Sequence, residues 1–253
     1  MLRETGKKAM IPFITAGDPD LDTTVELVLA MEKAGADIIE LGIPYSDPIA
    51  DGPVIQASSN RALLGGVKIA KIMDTVKQIR EKTNVPLVYL VYYNSIFKYG
   101  MEKFLGQCSE SGIDGLIIPD LPIEERSDLA AVADKFGVYL IPLVAPTSKQ
   151  RIEKIVTNTK GFVYCVSVMG VTGARQNITT NIEEYMKSVG EFTKVPKALG
   201  FGISSAEMAK QFVPYSDAII VGSAIVKAAA DGTTKEEKIA NVTKLVSEIK
   251  AVL

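Results

Sequence analysis

Along this chain, short runs of β-branched and other apolar residues alternate with longer segments in which hydrophobic side chains return at helical spacing. The strand-type runs are Met10–Thr15, Asp37–Gly42, Leu87–Tyr92, Gly115–Pro119, Val138–Leu143, Phe162–Ser167, Lys197–Phe201 and Ala218–Val221. Helical patterns cover Asp22–Ala34, Ile69–Lys82, Met101–Ser111, Ile123–Lys135, Lys149–Thr157, Ile182–Thr193, Ser205–Phe212, Ser223–Ala230 and Lys235–Ala251, and a short extra helix, Val54–Leu64, follows the second strand. Strands separated by helices from end to end predict a parallel sheet. Eight of them count out an α/β fold of the (β/α)8 TIM-barrel type, a single domain over residues 1–253. Gly35 and Gly112 close helical patterns just before a new strand, as a glycine C-cap does. A doubly wound open sheet would carry Gly-x-Gly-x-x-Gly after its first strand, where this chain has Ala16-Gly17-Asp18-Pro19.

Barrels of this kind place their chemistry at the C-terminal ends of the strands. Those ends are polar here: Asp18, Glu40, Tyr92 and Asn94, Asp120, Thr147, Tyr164 and Ser167. Alternation puts Ile38, Glu40 and Gly42 on one face of the second strand and Ile39, Leu41 and Ile43 on the other. If the second set packs on helices, Glu40 points into the barrel. A charge in an apolar strand costs several kcal/mol unless it is paired or its pKa shifts, so Glu40 is a candidate for chemistry, with a structural ion pair as the alternative. Asp51 precedes a helix and could serve as its cap or as a second functional acid. Asp47, in Ser46-Asp47-Pro48, and Asp120, in Pro119-Asp120-Leu121-Pro122, both suit turns, and a tyrosine such as Tyr164 is compatible with core packing. The last two strands end in Gly200-Phe201-Gly202-Ile203-Ser204 and Val221-Gly222-Ser223-Ala224, small residues whose backbone amides can approach a phosphate at a helix N-terminus.

The chain has no histidine, which excludes His-based nucleophilic triads and removes the commonest metal ligand, and no metal site is expected. Its net charge of −2 with scattered lysines argues against nucleic acid as a partner. No apolar run reaches the length of a membrane span, and the N-terminus lacks the pattern of a secretory signal, so a cytoplasmic protein is expected. Cys108 and Cys165 are too few for a disulfide framework and read as buried thiols.

Four motifs, in order along nearly the whole chain, resemble the tryptophan synthase alpha subunit family: Pro12-Phe13-Ile14-Thr15-Ala16-Gly17-Asp18-Pro19; Glu40 to Pro48 with Ala50-Asp51-Gly52-Pro53 and Ile55-Gln56; Gly170-Val171-Thr172-Gly173-Ala174; and Gly200 to Ser204. The resemblance implies cleavage of indole-3-glycerol phosphate to indole and glyceraldehyde 3-phosphate. It also implies transfer of the indole to a beta subunit that holds pyridoxal phosphate, in an alpha2beta2 assembly, with no cofactor in this chain. By position, Glu40 matches the family's acid-base glutamate and Asp51 its indole-binding aspartate. Phe13 and Tyr164 match the indole pocket, Thr172 the lid threonine, and Gly173, Gly202, Gly222 and Ser223 the phosphate grip; Tyr92 and Phe201 complete the expected substrate-binding set. Pro44, Tyr45, Asp47, Asn94 and the Asn94–Phe97 loop match regions facing the beta subunit, with Phe97 beside Ile96 an exposed apolar anchor. Two departures stand out: Met1–Lys8 is shorter than the family's usual leader helix, and Met169 replaces a small polar residue before the lid glycine.

A retro-aldol cleavage needs an electron sink, supplied elsewhere by a lysine imine or a metal. Lys8 and Lys197 lie at the wrong ends of their strands for the first, and histidine ligands for the second do not exist. An indole ring is its own sink once its C3 carbon is protonated. One buried acid, Glu40, can serve both as the proton donor and as the acceptor of the hydroxyl proton, while an ionised Asp51 stabilises the charge on the ring nitrogen. The Gly-, Thr- and Asn-rich segment Met169–Thr180 has the composition of a lid. A stand-alone indole-releasing lyase is the second reading.

Overall fold

A computed structural model describes residues 8–167, 182–200 and 202–253, with the backbone alone at positions 149 and 150. In chain order the elements are β1 (Ala9–Thr15), α1 (Leu21–Lys33), β2 (Ile39–Gly42), α2 (Pro53–Leu64), α3 (Ile69–Arg80), β3 (Leu87–Leu90), α4 (Tyr93–Tyr99), α5 (Met101–Ser111), β4 (Gly115–Ile117), α6 (Ser127–Phe136), β5 (Tyr139–Ile141), β6 (Leu143–Val144), α7 (Ile152–Val156), β7 (Val163–Val166), α8 (Ile182–Phe192), β8 (Lys197–Gly200), α9 (Ala206–Phe212), β9 (Ala218–Val221), α10 (Ser223–Asp231) and α11 (Lys235–Lys250). The strands form one nine-stranded parallel sheet in the order β5-β4-β3-β2-β1-β9-β8-β7-β6. β5 and β6 are separated only by Pro142, so the sheet curls into a nearly closed barrel with helices outside. The chain is thus a TIM barrel whose fifth strand is interrupted.

The interruption has a local cause. Proline has no N–H for a ladder, so the pairing changes hands at Pro142. Ile141 is in register with Ile117 of β4, whereas Leu143 is in register with Tyr164 of β7, and the Pro142 carbonyl accepts from the Tyr164 N–H at 2.9 Å. The expected continuous strand Val138–Leu143 is therefore two segments. The expected helices from Ile123 and Lys149 also begin later, at Ser127 and Ile152, because Ile123–Glu125 and Pro146–Arg151 wind as 3-10 turns.

A third difference concerns Asn94–Phe97, expected as a loop. It lies inside α4, whose first N–H, that of Tyr93, donates to Asp120 Oδ1 at 2.8 Å, and which ends at Gly100 with φ of 93°. A carboxylate at an open helix N-terminus satisfies an orphan donor and favours the helix dipole. Within the helix Ile96 is buried and Phe97 is exposed.

Alternation along the strands divides the apolar side chains into two layers. Ile39, Leu41 and Ile43 join the large cluster between sheet and helices, while Ala9, Ile11, Val88, Ile117 and Ile220 fill the barrel interior. Each fully buried aliphatic side chain contributes about 1.5–3 kcal/mol, and a one-residue slip would reverse every strand face. That packing fixes which way Glu40 points. At the opposite end, Lys250 of α11 donates to Asp37 Oδ2 at 2.6 Å and to the Lys8 carbonyl at 3.1 Å, tying the last helix across the strand starts. Among the described residues no helix is long and apolar enough to cross a membrane.

Candidate active site

Glu40 occupies the middle of β2, in register with Phe13 of β1 and Val88 of β3. The residue is 1% exposed, and its Oε2 has no hydrogen-bond partner among the described residues. No arginine or lysine pairs with it among the described residues. Burial, and secondarily the negative charge of Asp51, push its carboxyl up to about 8. At neutral pH the group is mostly protonated and faces a cavity.

Asp51 ends the segment between β2 and α2 and lines the same cavity. The helix cap is Gly52, followed by Pro53 at the first helical position, so Asp51 is not the N-cap residue. Burial raises its carboxyl above the ordinary value, and the Tyr92 hydroxyl opposes that rise. The Tyr92 oxygen in turn accepts from the Ala50 N–H at 3.0 Å, and Gln56 Nε2 donates to the Asp51 carbonyl at 2.8 Å, so the backbone on both sides of the acid is held.

Two aromatic rings form walls, and each rests where a neighbouring strand has no side chain. A Cβ on Gly42 would stand 2.5 Å from Phe13 Cζ, and one on Gly200 would stand 2.8 Å from Tyr164 Cε1. Glycine lets the rings lie against the backbone. Ile55, Leu90, Ile203 and Ile220 complete an apolar lining that sequence reasoning did not single out; strand alternation from Val88 and Ala218 points to Leu90 and Ile220. The cavity volume is about 60 Å³. Wider clefts beside α6 contain neither Glu40 nor Asp51.

The far end of the cavity is made by Gly202, Gly222 and Ser223. The two glycine turns differ in what they offer an anion. Helix α9 is capped by Ser205, whose hydroxyl accepts from the Met208 N–H, and has Glu207 in its first turn. Helix α10 starts at Gly222 with no side-chain cap and no acid in its first turn. Its leading N–H groups and positive dipole end suit a phosphate. Gly202, at φ of 82°, adopts the left-handed conformation that brings its turn to the cavity.

Of the expected site residues, the cavity thus brings together Glu40, Asp51, Phe13, Tyr164, Gly202, Gly222 and Ser223. Tyr92 is not in its lining; it stands behind Asp51. Thr172, Gly173, Phe201 and the segment Met169–Thr180 lie outside the described residues. On the side expected to face a partner, Asp47 is exposed, Asn94 is half-buried, Pro44 is buried and Phe97 is 66% exposed.

A family model for the tryptophan synthase alpha chain matches residues 1–253. The tryptophan synthase alpha chain of Thermoanaerobacter sp. (strain X514) is 64% identical over 253 residues, covering 100% of this chain and 97% of that protein. Among solved structures, tryptophan synthase of Mycobacterium tuberculosis superposes with a TM-score of 0.90 at 34% identity, covering 99% of this chain and 94% of the other. The tryptophan synthase α2β2 complex of Pyrococcus furiosus gives a TM-score of 0.85 at 34% identity, covering 96% and 98%.

Proposed function

The chain belongs to the tryptophan synthase alpha chain family, and we propose that Glu40 and Asp51 carry out that family's reaction in the cavity between β1, β2 and β7. The reaction is the retro-aldol cleavage of indole-3-glycerol phosphate to indole and D-glyceraldehyde 3-phosphate, and the chain pairs with a beta subunit that takes the indole on to tryptophan. Pyridoxal phosphate belongs to that partner, and the chemistry assigned to this chain uses side chains alone. The cytoplasm is the compartment in which this reading places the enzyme.

The observation that carries the assignment is a buried carboxyl, its Oε2 without a hydrogen-bond partner among the described residues, facing an aromatic-walled cavity that an open helix N-terminus also lines. The phosphate lies against Gly202, Gly222 and Ser223, and the indole lies between Phe13 and Tyr164. Glu40 delivers its proton to indole C3, giving an indolenine cation. The bond from C3 to the side-chain carbinol carbon then breaks, its electron pair restoring the aromatic ring. The hydroxyl on that carbon becomes the aldehyde oxygen, and its proton returns to Glu40. Ionised Asp51 accepts the ring N–H and stabilises the positive charge that develops there, an interaction worth most in the transition state.

Glu40→Gln keeps the shape of the side chain and removes its proton chemistry. Indole release falls by at least about 10³-fold, while an inert analogue lacking the side-chain hydroxyls still binds. A variant that keeps a tenth of the wild-type kcat overturns the assignment. Indole release measured with and without added beta subunit separates a partner-activated subunit from a stand-alone lyase.

A further inference from the structure

Tyr92 is fully buried and stands outside the cavity lining, and its hydroxyl meets the segment that carries Asp51. It accepts from the Ala50 N–H at 3.0 Å and is coupled electrostatically to the Asp51 carboxylate. Its ring stacks on Tyr45, with centroids 4.9 Å apart and planes 21° from parallel. Tyr45 is itself held by Asn94 of α4, whose Nδ2 donates to the Tyr45 hydroxyl at 2.8 Å. One phenol therefore holds the backbone just before the aspartate, and a stacked, hydrogen-bonded neighbour fixes the phenol.

We propose that Tyr92 is a positioning residue for the indole-cleaving reaction: its hydroxyl holds the backbone at Ala50 and so keeps the Asp51 carboxylate aimed at the ring N–H, without touching substrate. The proposal rests on the role given to Asp51 above. An aspartate in a loop has free torsions, and only a fixed carboxylate stabilises a developing charge without reorganising when the charge appears. The other ionisable groups around this pair work against the charged form. Glu40 on β2 and the hydroxyl of Tyr164 on β7 are coupled electrostatically to Asp51, and Asp120, following β4, is coupled to Tyr92. Among these groups there is no cation, and the Tyr92 hydroxyl favours ionised Asp51.

Tyr92→Phe removes the hydroxyl and keeps the ring on Tyr45, so the fold is conserved and a melting curve checks it. Donation to a carboxylate lowers its pKa, and removing the donor raises it. The acid limb of kcat, which reports ionisation of Asp51, moves up by about one pH unit, and kcat at pH 7 falls about tenfold, with a smaller change in KM. In an Asp51→Asn background the same Tyr92→Phe change has no further effect, because the two act as one unit. Effects that multiply across the two sites, or a Tyr92→Phe enzyme with the wild-type acid limb and kcat, overturn the proposal. Full activity in Asp51→Asn alone instead overturns the role of Asp51 itself.

Discussion

The Phe13 ring occupies the space that a side chain at Gly42 would need, with Cζ 2.5 Å from where a Cβ would stand. The pair links two adjacent strands at the level of Glu40, since Phe13 is in register with Glu40 itself. Gly42→Ala would push the ring toward the cavity, where Leu90 and Ile55 leave it little room. The variant is expected to fold with a loss of about 1–3 kcal/mol, the usual cost of overpacking, and to raise KM for indole-3-glycerol phosphate more than it lowers kcat. Thermal denaturation and steady-state kinetics check both; an unchanged KM would mean that the ring does not wall the indole.

Stability should also respond to the buried acid, in a direction opposite to an ordinary salt-bridged carboxylate. Glu40 is raised from 4.5 to about 8, so between those values the folded protein holds a proton that the unfolded chain has released. The contribution is present in full below pH 4.5 and is lost as pH rises toward 8. Within that window the slope is at most about 1.4 kcal/mol per pH unit. Glu40→Gln has no proton to lose. Its melting temperature should match wild type near pH 5 and exceed it at pH 8, so the inactive variant is the more stable one at alkaline pH. Equal melting temperatures at both pH values would indicate a solvated, unshifted Glu40.

Activity should decline on both sides of neutrality for two separate reasons. The first proton transfer needs protonated Glu40, so kcat falls as pH passes about 8. Charge stabilisation needs ionised Asp51, whose carboxyl burial raises, so kcat falls again on the acid side. Removing the aspartate's charge by Asp51→Asn should lower kcat about 10²–10³-fold, the loss typical of one preorganised electrostatic contact, and should erase the acid limb while leaving the alkaline one. A pH–rate profile of wild type and variant distinguishes this from a purely structural aspartate.

What could be read from the chain alone follows from the range of the forces involved. Strand succession and the inward direction of Glu40 are consequences of local periodicity, and both were legible. Helix α4 was not, because its N-terminus is completed by Asp120, 27 residues away from Tyr93. The division of the fifth strand depended on which neighbour each side of Pro142 would pair with. Gly42 and Gly200 look like any strand-end glycines until the rings of Phe13 and Tyr164 are seen resting on them. Tyr92 is expected from the sequence to bind substrate, whereas the structure leaves it out of the cavity lining with its hydroxyl on the Ala50 N–H; nothing in sequence spacing distinguishes a tyrosine that meets a ligand from one that meets a neighbouring backbone.

The partner face offers a final test. Helix α4 turns Ile96 into the core and leaves Phe97 66% exposed, with Ile49, at the end of the neighbouring β2–α2 segment, 75% exposed. Phe97 also lies 6.4 Å from the Tyr93 ring, which limits the rotamers it can adopt and reduces the entropy lost on binding. An aromatic side chain held out from a helix at the strand-end face has the properties of an interface anchor. Phe97→Ser is expected to weaken assembly with the beta subunit by about tenfold or more, equivalent to about 1.4 kcal/mol, as read by titration of the partner-dependent rise in indole release. Since Phe97 contributes little to the core, the melting temperature of the isolated chain should hardly move. Wild-type affinity in this variant would place the beta subunit elsewhere on the barrel.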